Sequence, residues 1–414
     1  VQTCALPICL NVNIRGAGTI GDGSNSSPLV LIDGVEGNMN AINPQDIESI
    51  SVLKDAASAS IYGARAAFGV ILINTKSGKS GRTNVNYSGN VRFTDALAVP
   101  DMLDSYKFAQ YFNEAAKNSG QGAVFSETQM QRILAYQKGE ITDGATINTT
   151  NNRWNNYTGA NANTDWFKEM YKDWVPSHEH NLSVSGGNEK VTYLVSGNFL
   201  DQNGLIAHGK DKFNRYTLNG KINATLSDYV KLNYSSKWIR EDYKRPSYMT
   251  GLFFHNIARR WPTNPVYDPN GYYMEGNEII QMEDGGIQKN QKDYAYQQLQ
   301  LVIEPIKDWK IYAEGNLNTI TNFQHWEVLP VYAHDVNGDQ YAFSWDGRAV
   351  GSTTVNEYGY KENFMTTNIY SDYFKQFDNG HFIKVMGGFN AEVMKTRSLS
   401  AQGDGLITPS VPTV

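Results

Sequence analysis

No stretch of this chain approaches the roughly 18 consecutive apolar residues that a membrane-spanning helix requires. The best run, Phe68-Gly-Val-Ile-Leu-Ile73, has the length of a strand. That excludes a helical membrane protein and leaves a β-barrel open, because a barrel hides its hydrophobicity in alternation. Charged residues are sparse, 19% of 414, and carry no basic excess: the net charge is -6. Nucleic acid is therefore not an expected partner. Cysteine is nearly absent, and both copies, Cys4 and Cys9, fall at the start of the chain. Neither a disulfide framework nor a thiolate metal site can be argued from them. The seven histidines are scattered, and carboxylate pairs occur only as any acidic surface would have them. No catalytic constellation, metal site or cofactor site stands out, so the chain does not read as an enzyme.

What is plentiful is aromatic. Phe, Trp and Tyr make up 12%, led by 25 tyrosines. Many soluble β-proteins share such a composition, and an outer-membrane barrel with aromatic girdles requires it.

The first residues read as foreign. Val1-Gln-Thr-Cys-Ala-Leu-Pro-Ile8 can be encoded by GTT CAG ACG TGT GCT CTT CCG ATC, which resembles a sequencing-library adapter. Residues 1–9 are expected to be an artefact with its junction, packing against nothing. The natural N-terminus and its export signal are expected to be missing.

Residues 10–82 read as a small α/β unit. Leu29-Val-Leu-Ile32 is a short apolar strand stopped by the turn pair Asp33-Gly34. Asn43-Pro44 reads as the cap and first position of a helical turn. Ile50-Ser-Val-Leu53 returns to strand-like alternation. Asp55 can cap a helix through Ala56–Tyr62 that ends at Gly63. Gly69-Val-Ile-Leu-Ile-Asn-Thr75 is the last strand, and Lys76–Gly81 is a polar connector. Two glycine patterns are linkers on this reading. Gly16-Ala-Gly18 lacks the third glycine and the helix of a dinucleotide loop, and Ser77-Gly-Lys-Ser80 lacks the upstream glycine of a phosphate loop.

These segments carry a resemblance. Pro28–Val35, Asn43–Ile50, Val52–Ala56 and Ile61–Ile73 resemble the C-terminal part of the plug domain in the SusC/RagA family of TonB-dependent receptors. Thr75-Lys-Ser-Gly78 resembles that family's exit from plug to barrel. The match runs from about residue 14 to 78, and Phe68 departs from it where asparagine is usual. Asp33, Gly34, Tyr62, Gly63, Arg65 and Gly69 fall within the motif. The resemblance implies a small α/β plug followed by part of an antiparallel transmembrane β-barrel, about nine strands of an expected total of about 22. It implies an outer-membrane location in a Gram-negative, Bacteroidota-like cell. It also implies active import of an oligosaccharide or peptide with TonB (and ExbB/ExbD) inside and a SusD-like lipoprotein outside.

The residues beyond Gly81 support a barrel independently. Tyr216, Leu218, Gly220, Ile222, Ala224 and Leu226 face one way, and Thr217, Asn219, Lys221, Asn223 and Thr225 the other. An apolar face and a polar face fit lipid outside and a wet lumen inside. About nine strands are expected, at 84–94, 178–187, 190–201, 212–226, 229–242, 293–305, 308–322, 364–377 and 381–397. Their connections alternate long and short, as outer-membrane barrels do. Residues 83–414 are thus assigned to the first part of the barrel with its long loops. Asp101–Ala115 has helical spacing. Asp268-Pro-Asn-Gly271 and Asp335-Val-Asn-Gly-Asp339 read as turns, the second lacking the distal glutamate of a calcium loop.

Arg15 and Arg65 are the candidates for locking the plug to the wall, since a buried arginine needs a carboxylate. Glu241, Glu304, Glu314 and Glu392 are candidate partners. Both arginines solvated in lumen water is the plainer alternative. His178-Glu-His180 places two imidazoles on one strand face, more in keeping with a polar face than a metal site. Trp154, Trp166, Trp174, Trp261 and Trp345 can stack on sugars or pack the loops. Two other functions compete: a siderophore or cobalamin receptor, and a secreted β-rich carbohydrate-binding or hydrolytic protein.

Overall fold

The computed structural model describes residues 12, 14, 27–55, 66–97, 99–344, 347–377 and 380–406. Val1–Ile8, both cysteines and the helix expected over Ala56–Tyr62 lie outside the described residues.

The plug contributes a mixed four-stranded sheet. β1 (Leu29–Ile32) and β2 (Val35–Glu36) form a hairpin, a turn of 3-10 helix covers Pro44–Asp46, and β3 (Ile47–Leu53) and β4 (Val70–Thr75) follow. The order is β2-β1-β4-β3, with β1 and β4 parallel. Asp33 and Gly34 both adopt positive φ, 52° and 87°, as a two-residue hairpin turn matching the strand twist demands. Asn43 caps the 3-10 turn by accepting from the Gln45 amide at 3.0 Å. Leu29, Leu31 and Val70 fill a small core on one face of this sheet, and Ile42, Ile71 and Ile73 a second on the other.

A nine-stranded antiparallel sheet follows. It begins with β5 (Gly81–Thr94), after which a first long connection holds a two-stranded ribbon, β6 (Ile147–Asn148) and β7 (Arg153–Trp154). Then come β8 (Val175–Gly187), β9 (Val191–Asn203), β10 (Lys212–Ser227), β11 (Val230–Pro246), β12 (Ile287–Ile306) and β13 (Trp309–Val328). A second ribbon, β14 (Val331–His334) and β15 (Gln340–Phe343), precedes β16 (Thr354–Gln376) and β17 (Phe382–Asp404). In the large sheet each strand pairs with its sequence neighbour, from β5 at one end to β17 at the other, and the sheet does not close. All nine expected strands are present. Several run further toward the long connections than alternation indicates: β12 starts at Ile287 and β16 at Thr354.

The two faces invert the usual rule. On β10 the buried residues from Arg215 to Lys221 are polar, Arg215, Thr217, Asn219 and Lys221, with Phe213 buried at the long-connection end, whereas Leu218, Ile222 and Leu226 are 55%, 46% and 61% exposed. The polar face is covered by the plug, and the apolar face is bare. From Tyr216 to Leu226, at about 3.4 Å per residue and a tilt near 40°, this band is about 25 Å tall, the height of the lipid-facing belt of a barrel. Tyr87, His180, His178, Phe199 and Tyr216 cluster at its long-connection margin, each ring within 6.1 Å of the next. No helix among the described residues is long and apolar enough to cross a membrane.

The long connections build a structure of their own. Trp166, Met170, Phe253, Ile257, Ile279 and Met282 share one buried cluster with residues of β14 and β15. The helix expected from Asp101 starts at Ser105 and runs to Asn118, because Asp104 caps it by accepting from the Lys107 amide. Leu103 lies before this helix and is exposed, and Tyr111 is also exposed. Phe108 and Phe112 pack on Trp261. Asp335 accepts from the amides of Asn337 and Asp339 in the turn between β14 and β15, and Asp268 from Asn270 and Tyr272 in its own turn.

Candidate functional site: the plug–wall interface

Polar side chains of six adjacent wall strands reach the plug. Asn181 of β8 accepts from Asn43 Nδ2 at 2.8 Å, and Ser196 of β9 donates to Asp46 Oδ1 at 2.7 Å. Arg215 of β10 donates to the Asn40 carbonyl at 3.2 Å. Gln298 of β12 donates to the Asp33 carbonyl at 3.1 Å, and Asn318 of β13 to the Glu36 carbonyl at 3.0 Å. Ala41 of the plug packs on Ile239 and Tyr294. These contacts follow from strand alternation: each wall residue lies on the inward register, and cross-strand neighbours share a face.

Four charges sit at the centre. Lys221 Nζ is 3.0 Å from Asp33 Oδ1 and donates to the Thr75 carbonyl at 3.0 Å. Asp33 also accepts from the Thr75 amide at 2.8 Å and hydroxyl at 2.6 Å. The hairpin turn, the end of β4 and the wall are therefore tied through one carboxylate. Lys237 of β11 is only 4% exposed and faces Asp33 and Asp46 from the neighbouring strand. Burial pushes the Asp46 carboxyl above its ordinary value, opposed by the Ser196 hydrogen bond and the nearby lysines. A cavity of about 30 Å³ beside Asp33, Lys237 and Gln298 has room for about two waters. Removing one partner from a buried ion pair strands the other, at about 3–5 kcal/mol. Separating either side chain from its partner here would leave a buried charge unpaired.

Among the described contacts the plug supplies carboxylates and the wall cations; the expected pairs put arginines on the plug. Arg15, Tyr62, Gly63 and Arg65 lie outside the described residues. Of the other motif residues, Asp33 and Gly34 form the turn at this interface. Gly69, at φ 94°, lies where a Cβ would meet Ile14 and the Leu53 carbonyl. Among the candidate carboxylates, Glu241 faces Arg215 within the wall. Glu314 accepts from Gln300, Asn368 and Tyr370, and Glu304 accepts from the Asp308 amide at a short turn. Glu392 lies on β17, opposite Thr366. Lys221 is legible as a polar-face residue, but nothing local marks it or Lys237 as a plug contact.

The remaining candidates disperse. Trp166 is fully buried and donates from Nε1 to the Trp261 carbonyl, and Trp261 is ringed by aromatics, so both are loop core. Trp154 is half-buried on β7, Trp174 is 70% exposed, and Trp345 lies outside the described residues. His178 and His180 belong to the outer aromatic cluster, His180 Nδ1 lying 2.7 Å from the Tyr87 hydroxyl. Among the described residues no three His, Cys, Asp or Glu side chains are grouped to hold a metal.

Residues 10–70 match the family described as TonB-dependent Receptor Plug Domain. The TonB-dependent receptor SusC of Bacteroides thetaiotaomicron is 25% identical over 413 residues, covering 91% of this chain and 36% of SusC. The TonB-dependent receptor P26 of Formosa agariphila is 30% identical over 289 residues, covering 67% of this chain and 25% of that receptor. The solved structure of the RagAB peptide importer in its open-open state superposes with a TM-score of 0.75 at 20% identity, covering 97% of this chain and 44% of that one. The chain spans about a third of the length of SusC.

Proposed function

Because this chain belongs to the SusC/RagA type of TonB-dependent receptors, we propose that the whole receptor imports a polymer-derived nutrient, an oligosaccharide or peptide, across the outer membrane. The family is one of transporters, not enzymes. In this reading TonB, with ExbB and ExbD, supplies the pull that frees the plug, and a SusD-like lipoprotein covers the long-loop side. The observation that carries it is the inverted wall, polar and plug-covered within, apolar and bare without. A soluble sandwich buries the opposite face, which argues against a secreted hydrolytic or sugar-binding protein. The RagAB neighbour is a peptide importer by its own description, which favours a nutrient of that size over a metal chelate.

The plug is the closure in this reading, and the Asp33–Lys221 pair its described fastening. Arg15 and Arg65 remain proposed further fastenings. In the intact receptor, Arg65→Ala is expected to raise leakage of small solutes with barrel assembly intact; unchanged leakage removes Arg65 from that role. The test of the function is a deletion strain grown on separate oligosaccharide and peptide sources, with pull-down of a lipoprotein partner. Loss of growth on one polymer class, restored by the intact gene but not by a plug-truncated one, is expected. Normal growth on every polymer with lost growth on a ferric chelate or cobalamin would replace the proposal by the siderophore or cobalamin receptor.

A further inference from the structure

Where the chain enters β8, a cleft of about 440 Å³ opens between Trp174, Lys172, Lys210, Lys212 and Lys244. It lies on the outer side of the wall. Lys212 and Lys244 share their register face with Tyr216 and Trp238, which are exposed there. Lys212 stands directly opposite Lys244, and Lys244 opposite Lys289, so three lysines lie side by side across β10, β11 and β12. Like charges in directly opposed positions destabilise a sheet unless an anion bridges them. Acids offset part of this: Asp201 pairs with Lys212 at 2.7 Å, Glu327 lies near Lys244, Asp211, buried against Gly204, lies near Lys172, and Asp173 lines the rim. Trp174 is 70% exposed and held at φ 55°, a conformation costly for a bulky residue, so its ring is presented rather than packed.

The position selects the occupant. The cleft sits two to four residues beyond the aromatic cluster at the edge of the apolar band, Pro176 against His178, Asn203 against Phe199 and Lys212 against Tyr216, level with lipid headgroups. It opens away from the lumen, so neither plug nor imported cargo meets it. We propose that it binds the phosphorylated sugar headgroup of an outer-leaflet glycolipid, with Lys210, Lys212 and Lys244 on the phosphate and the Trp174 ring against the sugar. The proposal rests on the outer face being the lipid face. Its volume is that of an ordinary small-molecule pocket, about 300–1,000 Å³, and its basic residues complement an anionic headgroup as juxtamembrane lysines do.

The test uses the full-length receptor, extracted from outer membranes in detergent and titrated with phosphorylated lipid A, its dephosphorylated form, or inorganic phosphate. Wild type is expected to bind the phosphorylated lipid, and K210Q/K212Q/K244Q to bind it about a hundredfold more weakly at low salt. The corresponding triple Lys→Arg variant keeps the charges and is expected to bind as wild type. Undiminished binding by the Gln variant, or equal binding of the dephosphorylated lipid, overturns the proposal. Tight binding of inorganic phosphate alone does so too, by making the source a free anion. Absence of the receptor from the outer-membrane fraction overturns the membrane reading together with this one. Presence there with unaltered lipid binding overturns this one alone.

Discussion

Gly78 meets the main chain of Tyr193: a Cβ built on Gly78 would overlap the nitrogen, carbonyl carbon and oxygen of that residue. The connector from plug to wall therefore lies flat on β9, where only glycine fits. Strand backbone cannot yield as a flexible side chain can, so Gly78→Ala is expected to cost about 1–3 kcal/mol. In the full receptor, hydrogen exchange should rise at residues 76–80 and at 191–195, with the distant β16–β17 pair unaffected. Unchanged protection in both segments would show that the connector does not rest on β9.

The Asp33–Lys221 pair should behave as one unit. Lys221→Met strands a carboxylate, and Asp33→Asn strands an ammonium while keeping a residue that tolerates the turn's positive φ. Each single change is expected to weaken plug docking by about 3 kcal/mol, and the double change by clearly less than the sum. Ion conductance through the receptor in planar bilayers reports docking. Strictly additive leakage in the double variant would mean that the two side chains do not act together.

Docking should depend on pH through Asp46. Burial raises its carboxyl above the ordinary value of 3.8, so the docked plug takes up a proton more readily than the freed one. The contribution is fully present below the ordinary value and is lost as pH rises through the raised one. Docking is therefore expected to tighten on acidification across that window. Asp46→Asn should flatten the dependence, and an unaltered pH profile of leakage in that variant would exclude Asp46 as its source.

β17 ends the sheet with an open edge, and Phe382, Val385, Phe389, Val393 and Leu399 on it are each at least 46% exposed. An unpaired, apolar edge strand is a template for association. This chain made by itself is expected to sediment as aggregate without detergent. A monodisperse, detergent-free monomer in analytical ultracentrifugation would contradict the lipid-facing assignment.

Local physics is legible in the residues themselves. The Asp33-Gly34 turn, the Asn43 cap and the nine alternating strands each depend on neighbours within a few positions, and each forms as the pattern indicates. Alternation also fixes which side chains share a face. It does not extend to Ile287–Asn290 or Thr354–Glu357, where pairing with a neighbouring strand, not pattern, makes the strand. Nor can it say what lies against a face. Lys221 reads as one polar residue among several. It meets Asp33 because the wall curves around the plug and leaves each buried charge only its opposite for a partner. Trp166 and Trp261 could by sequence either stack on a sugar or pack the loops; segments far apart in sequence fold over them, each in its own apolar cluster, because burying so large an aromatic surface is favourable. The periodicity belongs to the chain; the partners belong to the fold.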